Sequence, residues 1–120
     1  MILRHVSVFT ARFEESINFY SEIVGLHILK DLRGFSDHEI VFMGYEEGGT
    51  MVELIGCEEH MAYNGSGINL GFVVDDAESF REELFGEGYE VSPIISPNPH
   101  TKFFIVQDPN GLNVQFISEE

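Results

Sequence analysis

The chain has 120 residues, 43% of them hydrophobic and 11 of them Phe, and it carries six Lys or Arg against 21 Asp or Glu, a formal charge of -15. This length and apolar content predict one globular domain with a single core. The negative charge argues against nucleic acid and anionic membrane surfaces as partners. No apolar run approaches the length of a membrane span or a signal peptide, which favours a cytoplasmic protein. Cys57 is the only cysteine, so a disulfide within the chain and a cysteine metal cage are excluded.

The first half of the chain predicts a strand, a helix and three further strands. The first strand is RHVSVF at 4–9, and the helix FEESINFYSEIVG spaces Phe13, Ile17, Tyr20 and Val24 along one face before it ends at Gly25. The strands LHILKDL, HEIVFMGY at 38–45 and MVELIG at 51–56 follow. The turn GYEEGG at 44–49 separates the last two, because glycine tolerates the positive φ that tight connections need.

The second half predicts the same order of elements. The strand INLGFVV at 68–74 precedes the helix DAESFREELFGEG, which ends near Gly88 and which Asp75 and Glu78 begin with the spacing of a capping box. The strands YEV at 89–91, KFFIVQD at 102–108 and LNVQFI at 112–117 follow, the last two joined by the turn DPNG. The predicted apolar face of this helix consists of Ala77, Phe80, Leu84 and Phe85.

The two halves repeat each other in sequence. Ser16 and Ser79, like Gly25 and Gly88, lie 63 residues apart, and the strand MVELI lies 62 residues before NVQFI. Two copies are too few for a solenoid. The sequence therefore predicts an α+β fold of two βαβββ modules, about 1–60 and 65–120, that pair into one clam-like domain.

Four polar residues lie on strand positions that face away from the predicted helices. Side chains alternate along a strand, so Gln115 points opposite to the apolar Leu112, Val114 and Phe116. The same division places His5, Glu53 and Asn69 on the face opposite the helix of their half. The repeat relates His5 to Asn69 and Glu53 to Gln115, which predicts that the four side chains converge around a pseudo-twofold axis. They are either ordinary polar side chains of a sheet face open to water or the anchor of a metal or ligand site.

On these features the chain resembles the vicinal oxygen chelate superfamily, which includes glyoxalase I, fosfomycin-resistance enzymes, extradiol dioxygenases and bleomycin-resistance proteins. The resemblance rests on the repeated βαβββ order, the helix INFYSEIVGL, the strand MVELI and the ending DPNGLNVQFI. It implies paired modules that curve into a half-open cleft, often completed by a second subunit, so a homodimer is expected. It also implies that metal ligands lie at the positions of His5, Glu53, Asn69 and Gln115.

This chain departs from the glyoxalase I pattern at two of the four positions. Bacterial glyoxalase I has His, Glu, His and Glu there, whereas Asn69 and Gln115 are amides and supply no charge. A divalent metal (Ni, Zn, Mn or Fe) is therefore expected to be weakly held or absent, and Glu53 alone is left as a catalytic base. Glutathione recognition is also doubtful, because Phe9 and Cys57 replace the arginine and asparagine that follow the ligands in the family. A dioxygenase is disfavoured, since its facial triad needs His at 69 and a carboxylate at 115.

Seven further residues are candidates for contact with a ligand. Phe9, Phe42, Met51 and Phe103 are apolar enough to line a cleft wall, and they are equally suited to the core or a dimer interface. His60 and His100 are predicted to lie in loops at the cleft rim, and Cys57 takes a family contact position. His27 and His38 are weaker candidates, because His27 fits a strand surface and His38 the start of a strand.

Two classes of function remain open from the sequence. The first is a metal-dependent isomerase or lyase of the glyoxalase type, with His5 and Glu53 as firm ligands and the two amides as weak ones. The second is a metal-free protein that binds a small molecule or drug, for which an acidic surface suits a cationic ligand.

Overall fold

A computed structural model describes residues 1–35 and 37–120, which form two compact units, Met1–Asn64 and Gly65–Glu120. Each unit contains a strand, a helix and then three strands, so the predicted βαβββ order is confirmed in both halves. Of the described helices, none combines the length and the apolar character that a membrane span requires.

The first unit is a four-stranded mixed sheet covered by one helix. Its elements are β1 (His5–Thr10), α1 (Phe13–Asn18), a π-helical turn (Phe19–Ile23), β2 (His27–Asp31), β3 (Ile40–Gly44), β4 (Met51–Gly56) and a 3₁₀ turn (Glu59–Met61). The strand order is β1-β4-β3-β2, with β1 parallel to β4 and the other pairs antiparallel. The N- and C-terminal strands of the unit are therefore neighbours at one side of the sheet.

The first helix widens in its second half. It begins as an α-helix at Phe13 and continues from Phe19 as a π-helical turn, a change the sequence period did not predict. Tyr20 lies in this turn with no solvent exposure, and its carbonyl accepts the Leu26 N–H at 2.8 Å. Gly25 ends the helix as predicted, with a φ of 82° that favours glycine.

The second unit repeats the architecture with a longer helix. It consists of β5 (Asn69–Val73), α2 (Ala77–Gly86), β6 (Ile95–Asn98), β7 (Thr101–Gln107) and β8 (Asn113–Glu119), in the strand order β5-β8-β7-β6. Phe80 of α2 packs edge-to-face on Phe116, with ring centroids 4.9 Å apart, and also contacts Phe104 at 5.9 Å. These rings form the core between α2 and one face of the sheet.

The predicted strand at 89–91 is wrong, because the outer strand of this sheet is Ile95–Asn98. Before this strand, Ser92 forms two hydrogen bonds with Ile105 of β7. Its N–H donates to the Ile105 carbonyl at 3.0 Å, and its hydroxyl accepts the Ile105 N–H at 2.8 Å. Pro93 follows and has no N–H to donate to a ladder. Regular pairing therefore begins only at Ile95, which lies opposite Phe103.

Two predicted details of the second helix are also wrong. Asp76 rather than Asp75 is the N-cap, since its carboxylate accepts the Ser79 N–H at 3.2 Å and the Ser79 hydroxyl at 3.0 Å. Phe85 was expected on the apolar face, but its side chain is 62% exposed. The guanidinium of Arg81, one turn earlier, lies 5.9 Å from the Phe85 ring centroid and covers part of it.

Two strand starts differ from the prediction. His38 does not open a strand: it lies in the bend before β3, with its Nδ1 atom 3.2 Å from the Gly56 carbonyl. Ile68, assigned to the apolar face of its strand, precedes β5 and is 54% exposed. In both cases the predicted strand begins earlier than the residues that pair in the sheet.

Candidate functional site

The first sheet has one face under its helix and one face without a helix. On the helix side, Thr10 of β1 meets Ser16 of α1, with their hydroxyl oxygens 3.1 Å apart. Because residues alternate along β1, His5, Ser7 and Phe9 lie on the other face, as predicted. We call this other face of the first sheet the open face.

Strand register places four side chains in one row across the open face. Ser7 of β1 lies opposite Glu53 of β4, which lies opposite Phe42 of β3, which in turn lies opposite Lys30 of β2. Residues that pair directly across strands share a face of the sheet. A register shift between Ile28 and Lys30 in β2 brings the lysine into this row.

His5 and Glu53 are close enough to interact within the first unit. The Nε2 atom of His5 lies 3.6 Å from the Glu53 Oε1 atom, and the Ser7 hydroxyl donates a short hydrogen bond to the same oxygen. The Glu53 side chain is only 13% exposed, whereas that of His5 is 30% exposed. The structure therefore brings together two of the four predicted polar residues, with Ser7 as an additional partner.

Arg4 determines which nitrogen of His5 carries the proton. Its NH1 group lies 2.9 Å from the His5 Nδ1 atom. A guanidinium can only donate, so Nδ1 must accept. A neutral imidazole with an accepting Nδ1 carries its proton on Nε2, which is the atom that faces Glu53. In this arrangement His5 presents an N–H to the carboxylate and has no free lone pair on Nε2.

Phe42 lies beneath these charged groups. It is 5% exposed, and the His5 ring meets it edge-on with centroids 5.4 Å apart. The Arg4 guanidinium carbon lies 5.1 Å from the Phe42 centroid and the Lys30 ammonium 6.0 Å from it. Both distances are within the range of cation–π contacts. Phe42 therefore belongs to the floor of the open face and not to the core under α1.

On the equivalent face of the second unit, the positions that correspond to the first-unit row carry only neutral side chains. Asn69 lies opposite Asn113, whose amide nitrogen donates to the Asn69 Oδ1 atom at 3.2 Å. Gly71 lies opposite Gln115, and Ile105 follows on β7. The Gln115 amide makes no hydrogen bond to any other side chain within the described residues. Ser7, Glu53 and Phe42 thus correspond to Gly71, Gln115 and Ile105.

The remaining predicted contact residues have separate environments. On the open face, Phe9 is 41% exposed and Met51, opposite His5, is half-buried. Cys57 follows β4 and is half-buried, and Phe103 is half-buried on β7 of the second unit. His60 is exposed in the 3₁₀ turn with its Nδ1 atom 3.5 Å from Glu58, and His100 is exposed at the turn between β6 and β7. The convergence of all four polar residues stays a prediction. The contact roles of these residues, the homodimer and the cytoplasmic location also stay predictions.

The side chains on these faces do not fit a tightly held divalent metal. In the described parts of the chain, His, Cys, Asp and Glu nowhere form a group of three or more that is placed to bind one. The Asn69 oxygen already accepts a hydrogen bond, and Arg4 fixes His5 as a donor toward Glu53. Of the four predicted ligands, only Glu53 supplies a negative charge.

Four contributors to these faces were missed from the sequence: Arg4, Ser7, Lys30 and Asn113. Strand alternation places Ser7 on the face of His5, but it does not identify Glu53 as the partner of Ser7. Strand alternation also places Asn113 two residues before Gln115, on the same face. Arg4 begins the predicted strand at 4–9, where alternation assigns it to the face opposite His5, but the residue lies just before β1. Lys30 depends on the irregular register of β2, which strand periodicity does not predict.

A shallow groove of about 440 Å³ lies elsewhere in the second unit. It is lined by residues from Val73 at the end of β5 to Glu83 in α2, including Asp75, Asp76 and Phe80. None of the predicted site residues lines this groove, so it is separate from the positions discussed above.

Comparison with known proteins assigns the family. The model of the Glyoxalase/Bleomycin resistance protein/Dioxygenase superfamily matches residues 2–116, and the chain belongs to this superfamily. Among curated relatives, a probable lactoylglutathione lyase of Synechocystis is 27% identical over 98% of this chain and 95% of its own length. The lactoylglutathione lyase of Haemophilus influenzae is 24% identical over 100% of this chain and 94% of its own.

Two solved structures show the same fold at low identity. TnmS3, an antibiotic-binding protein from Streptomyces, superposes with a TM-score of 0.78 at 20% identity, covering 100% of this chain and 97% of its own. The trypanothione-dependent glyoxalase I of Leishmania major gives 0.77 at 21% identity, covering 99% of this chain and 87% of its own. The fold is therefore shared by a binding protein and an enzyme, and it does not decide between the two functions.

Proposed function

We propose that this protein binds a small organic molecule against the open face of the first sheet, with Glu53 as the polar anchor and without a resident metal. The observation that carries the proposal is the hydrogen bond from Arg4 to His5 Nδ1. It orients the imidazole so that its Nε2 proton faces the carboxylate. A histidine held in this way supports Glu53 as an acceptor and is not prepared for a metal.

The Glu53 carboxylate has the properties of a ligand anchor. Its side chain is largely buried, so its interactions are less weakened by water than those at the surface. Ser7 and His5 both approach Oε1, which leaves Oε2 to accept a donor from a ligand. The exposed Phe9 and the half-buried Met51 add apolar surface on the same face. A few fixed polar groups beside apolar side chains are typical of small-molecule sites.

The two amides of the second unit also favour binding over metal-dependent chemistry. Asn69 and Gln115 are neutral and cannot serve as general bases. Both amides can donate and accept hydrogen bonds with a ligand. A role for Gln115 in binding therefore does not require a metal.

The proposal is tested by screening small organic fragments against EDTA-treated protein by thermal shift and calorimetry. A ligand that binds only the folded state raises its stability by about 2.7 kcal/mol at one hundred times its Kd. We expect hits whose binding weakens about tenfold or more in Glu53→Gln, because a hydrogen bond to a charged group is lost. Glu22→Gln, at an exposed position of the π-helical turn, is the matched control. The proposal fails if no fragment binds the metal-free protein, or if both variants bind the hits equally.

A metal-dependent lyase is the second candidate, favoured by the 3.6 Å approach of His5 to Glu53 and by the names of the curated relatives. In this case purified protein loaded with Ni, Zn, Mn or Fe(II) retains about one ion per chain by elemental analysis and forms lactoylglutathione. Glu53→Gln loses the metal. Arg4→Gln, which releases the His5 Nδ1 atom, raises metal retention. Metal retention that Glu53→Gln leaves unchanged would eliminate this candidate.

A further inference from the structure

The few basic side chains of this acidic protein are unequally paired. The chain has six Lys or Arg against 21 Asp or Glu, so each cation has many carboxylates available. Four of the six lie within 4 Å of a carboxylate oxygen: Arg12 with Glu15, Arg33 with Asp31, Arg81 with Glu82, and Lys102 with Glu78. This is the expected arrangement when acidic groups are in excess.

Arg4 and Lys30 are the exceptions. Over the described residues, neither forms an ion pair with a carboxylate. Both lie instead at the ring of Phe42, 5.1 and 6.0 Å from its centroid. The two cations that lack a carboxylate thus both contact Phe42, on the face that also carries His5 and Glu53.

These two groups have donors that the described residues do not use. The guanidinium has five N–H donors and the ammonium three, and within the described part of the chain Arg4 forms one side-chain hydrogen bond, to His5. Both residues are exposed. Two like charges at one ring repel each other, and a bound anion that contacts both reduces that repulsion. Charge-assisted hydrogen bonds from Arg and Lys are the usual means of holding a carboxylate or phosphate.

We propose that Arg4 and Lys30 form an anion subsite beside Glu53, so that the ligand is a small organic anion that also carries a hydroxyl or similar donor. The anionic group binds the two cations above Phe42, and the donor reaches the Glu53 carboxylate. This inference rests on the proposed function, because it specifies the ligand of the same face.

The overall charge of -15 does not oppose this assignment. Exposed charges beyond roughly 8 Å are largely screened at physiological salt, so the net charge mainly slows the approach of an anion. Affinity depends on the groups in contact, and on this part of the face those groups are cations. An acidic surface with a local cationic site selects against anions that cannot reach Arg4 and Lys30.

The second unit has no equivalent subsite. By the sequence repeat Ile68 stands at the position of Arg4, and by strand register Ile105 takes the position of Phe42. No lysine of β6 corresponds to Lys30, because the residues of β6 are ISPN. The cationic pair is therefore not a general consequence of the fold.

Three matched probes separate the effect of charge from that of shape. The carboxylate para-hydroxyphenylacetate, its neutral amide and the cation tyramine share one phenol and differ in the charge of the side group. Calorimetric titration of EDTA-treated protein at low salt is expected to show the carboxylate binding at least about tenfold more tightly than the amide, and tyramine more weakly still. Added salt is expected to reduce the preference.

Variants identify the subsite. Lys30→Gln is expected to weaken carboxylate binding about tenfold while leaving the affinity for the amide unchanged. Arg4→Gln is expected to weaken carboxylate binding more than amide binding, because Arg4 also orients His5 toward Glu53, and Arg4→Lys is expected to restore part of the loss. Arg12→Gln and Lys102→Gln remove the same charge from paired positions elsewhere and are expected to have little effect. The melting temperature of each variant shows whether it is folded, and Lys30→Gln keeps the test valid if Arg4→Gln is unstable.

Each outcome of these titrations either supports or refutes the anion subsite. If the amide or tyramine binds as well as the carboxylate, and Glu53→Gln abolishes that binding, the anion subsite is refuted and the proposed function is supported. Equal losses in the control variants mean that only the net charge acts, which also refutes the subsite. If none of the three probes binds, the anion subsite is refuted, and the fragment screen alone then decides the proposed function.

Discussion

The aromatic core of the second unit allows a sharp test of the packing described above. Phe116 is 1% exposed, and its ring lies 4.9 Å from Phe80, 5.4 Å from Phe104 and 6.4 Å from Phe72, centroid to centroid. Truncation of a buried Phe to Ala destabilises a protein by roughly 3 to 5 kcal/mol, through lost transfer energy and the cavity that remains. The edge-to-face contact with Phe80 adds about 0.5 to 1.5 kcal/mol.

We therefore expect Phe116→Ala to lower the free energy of unfolding by about 4 kcal/mol, a large share of the roughly 5 to 15 kcal/mol typical of a domain. Phe85→Ala is the matched control, because Phe85 is 62% exposed and the truncation removes little buried surface beyond its contact with Arg81. Urea unfolding followed by circular dichroism measures both. A loss below about 1 kcal/mol at Phe116, or equal losses at the two positions, would refute the assignment of Phe116 to the core and of Phe85 to the surface.

Three further predictions concern single positions. Asp76→Ala is expected to cost about 1 kcal/mol through loss of the helix cap, whereas Asp75→Ala costs little; urea midpoints decide, and the reverse order would restore the capping assignment made from the sequence. Gly71→Ala is expected to stabilise the protein by about 0.5 kcal/mol, since an added Cβ meets only the mobile end of the Gln115 side chain at 3.3 Å; a lower melting temperature contradicts this. Hydrogen bonds from Arg33 lower the pKa of Asp31 from 3.8 to about 2, so their stabilising effect is full above pH 3.8 and is lost as the pH falls through about 2. NMR titration of this carboxyl is expected to give a higher midpoint in Arg33→Gln, which loses the side-chain hydrogen bonds and keeps the backbone N–H of residue 33 as a donor; an unchanged midpoint would show that the Arg33 side chain is not the cause.

The sequence was sufficient for features that depend on local periodicity. Alternation along β1 and β8 predicted which faces His5 and Gln115 occupy, because side-chain direction in a strand has a fixed period of two. Gly25 was identified as a helix end because few other residues adopt its positive φ. The order of elements followed from the repeat, since both copies use the same pattern.

Features that depend on contacts between strands were not available from the sequence. The position of Lys30 opposite Phe42 results from a register shift in β2, and register is determined by tertiary pairing. The strand predicted at 89–91 had suitable residues, but Pro93 and the pairing of Ile95 moved the edge of the sheet. The tautomer of His5 depends on Arg4, which precedes β1 and which alternation along the predicted strand at 4–9 would assign to the face opposite His5.

The row of Ser7, Glu53 and Phe42 has a neutral counterpart in Gly71, Gln115 and Ile105, on strands of the same order and direction. The second row is thus an internal control for the first, because it has the same strand arrangement without the charged side chain. Exchange of single residues between the two rows changes the chemistry of one face while the strand pairing of both is kept. Equivalent strands of the two copies therefore differ in chemistry: the row of the first copy lies beside a histidine and two cations, and the corresponding row of the second copy is uncharged.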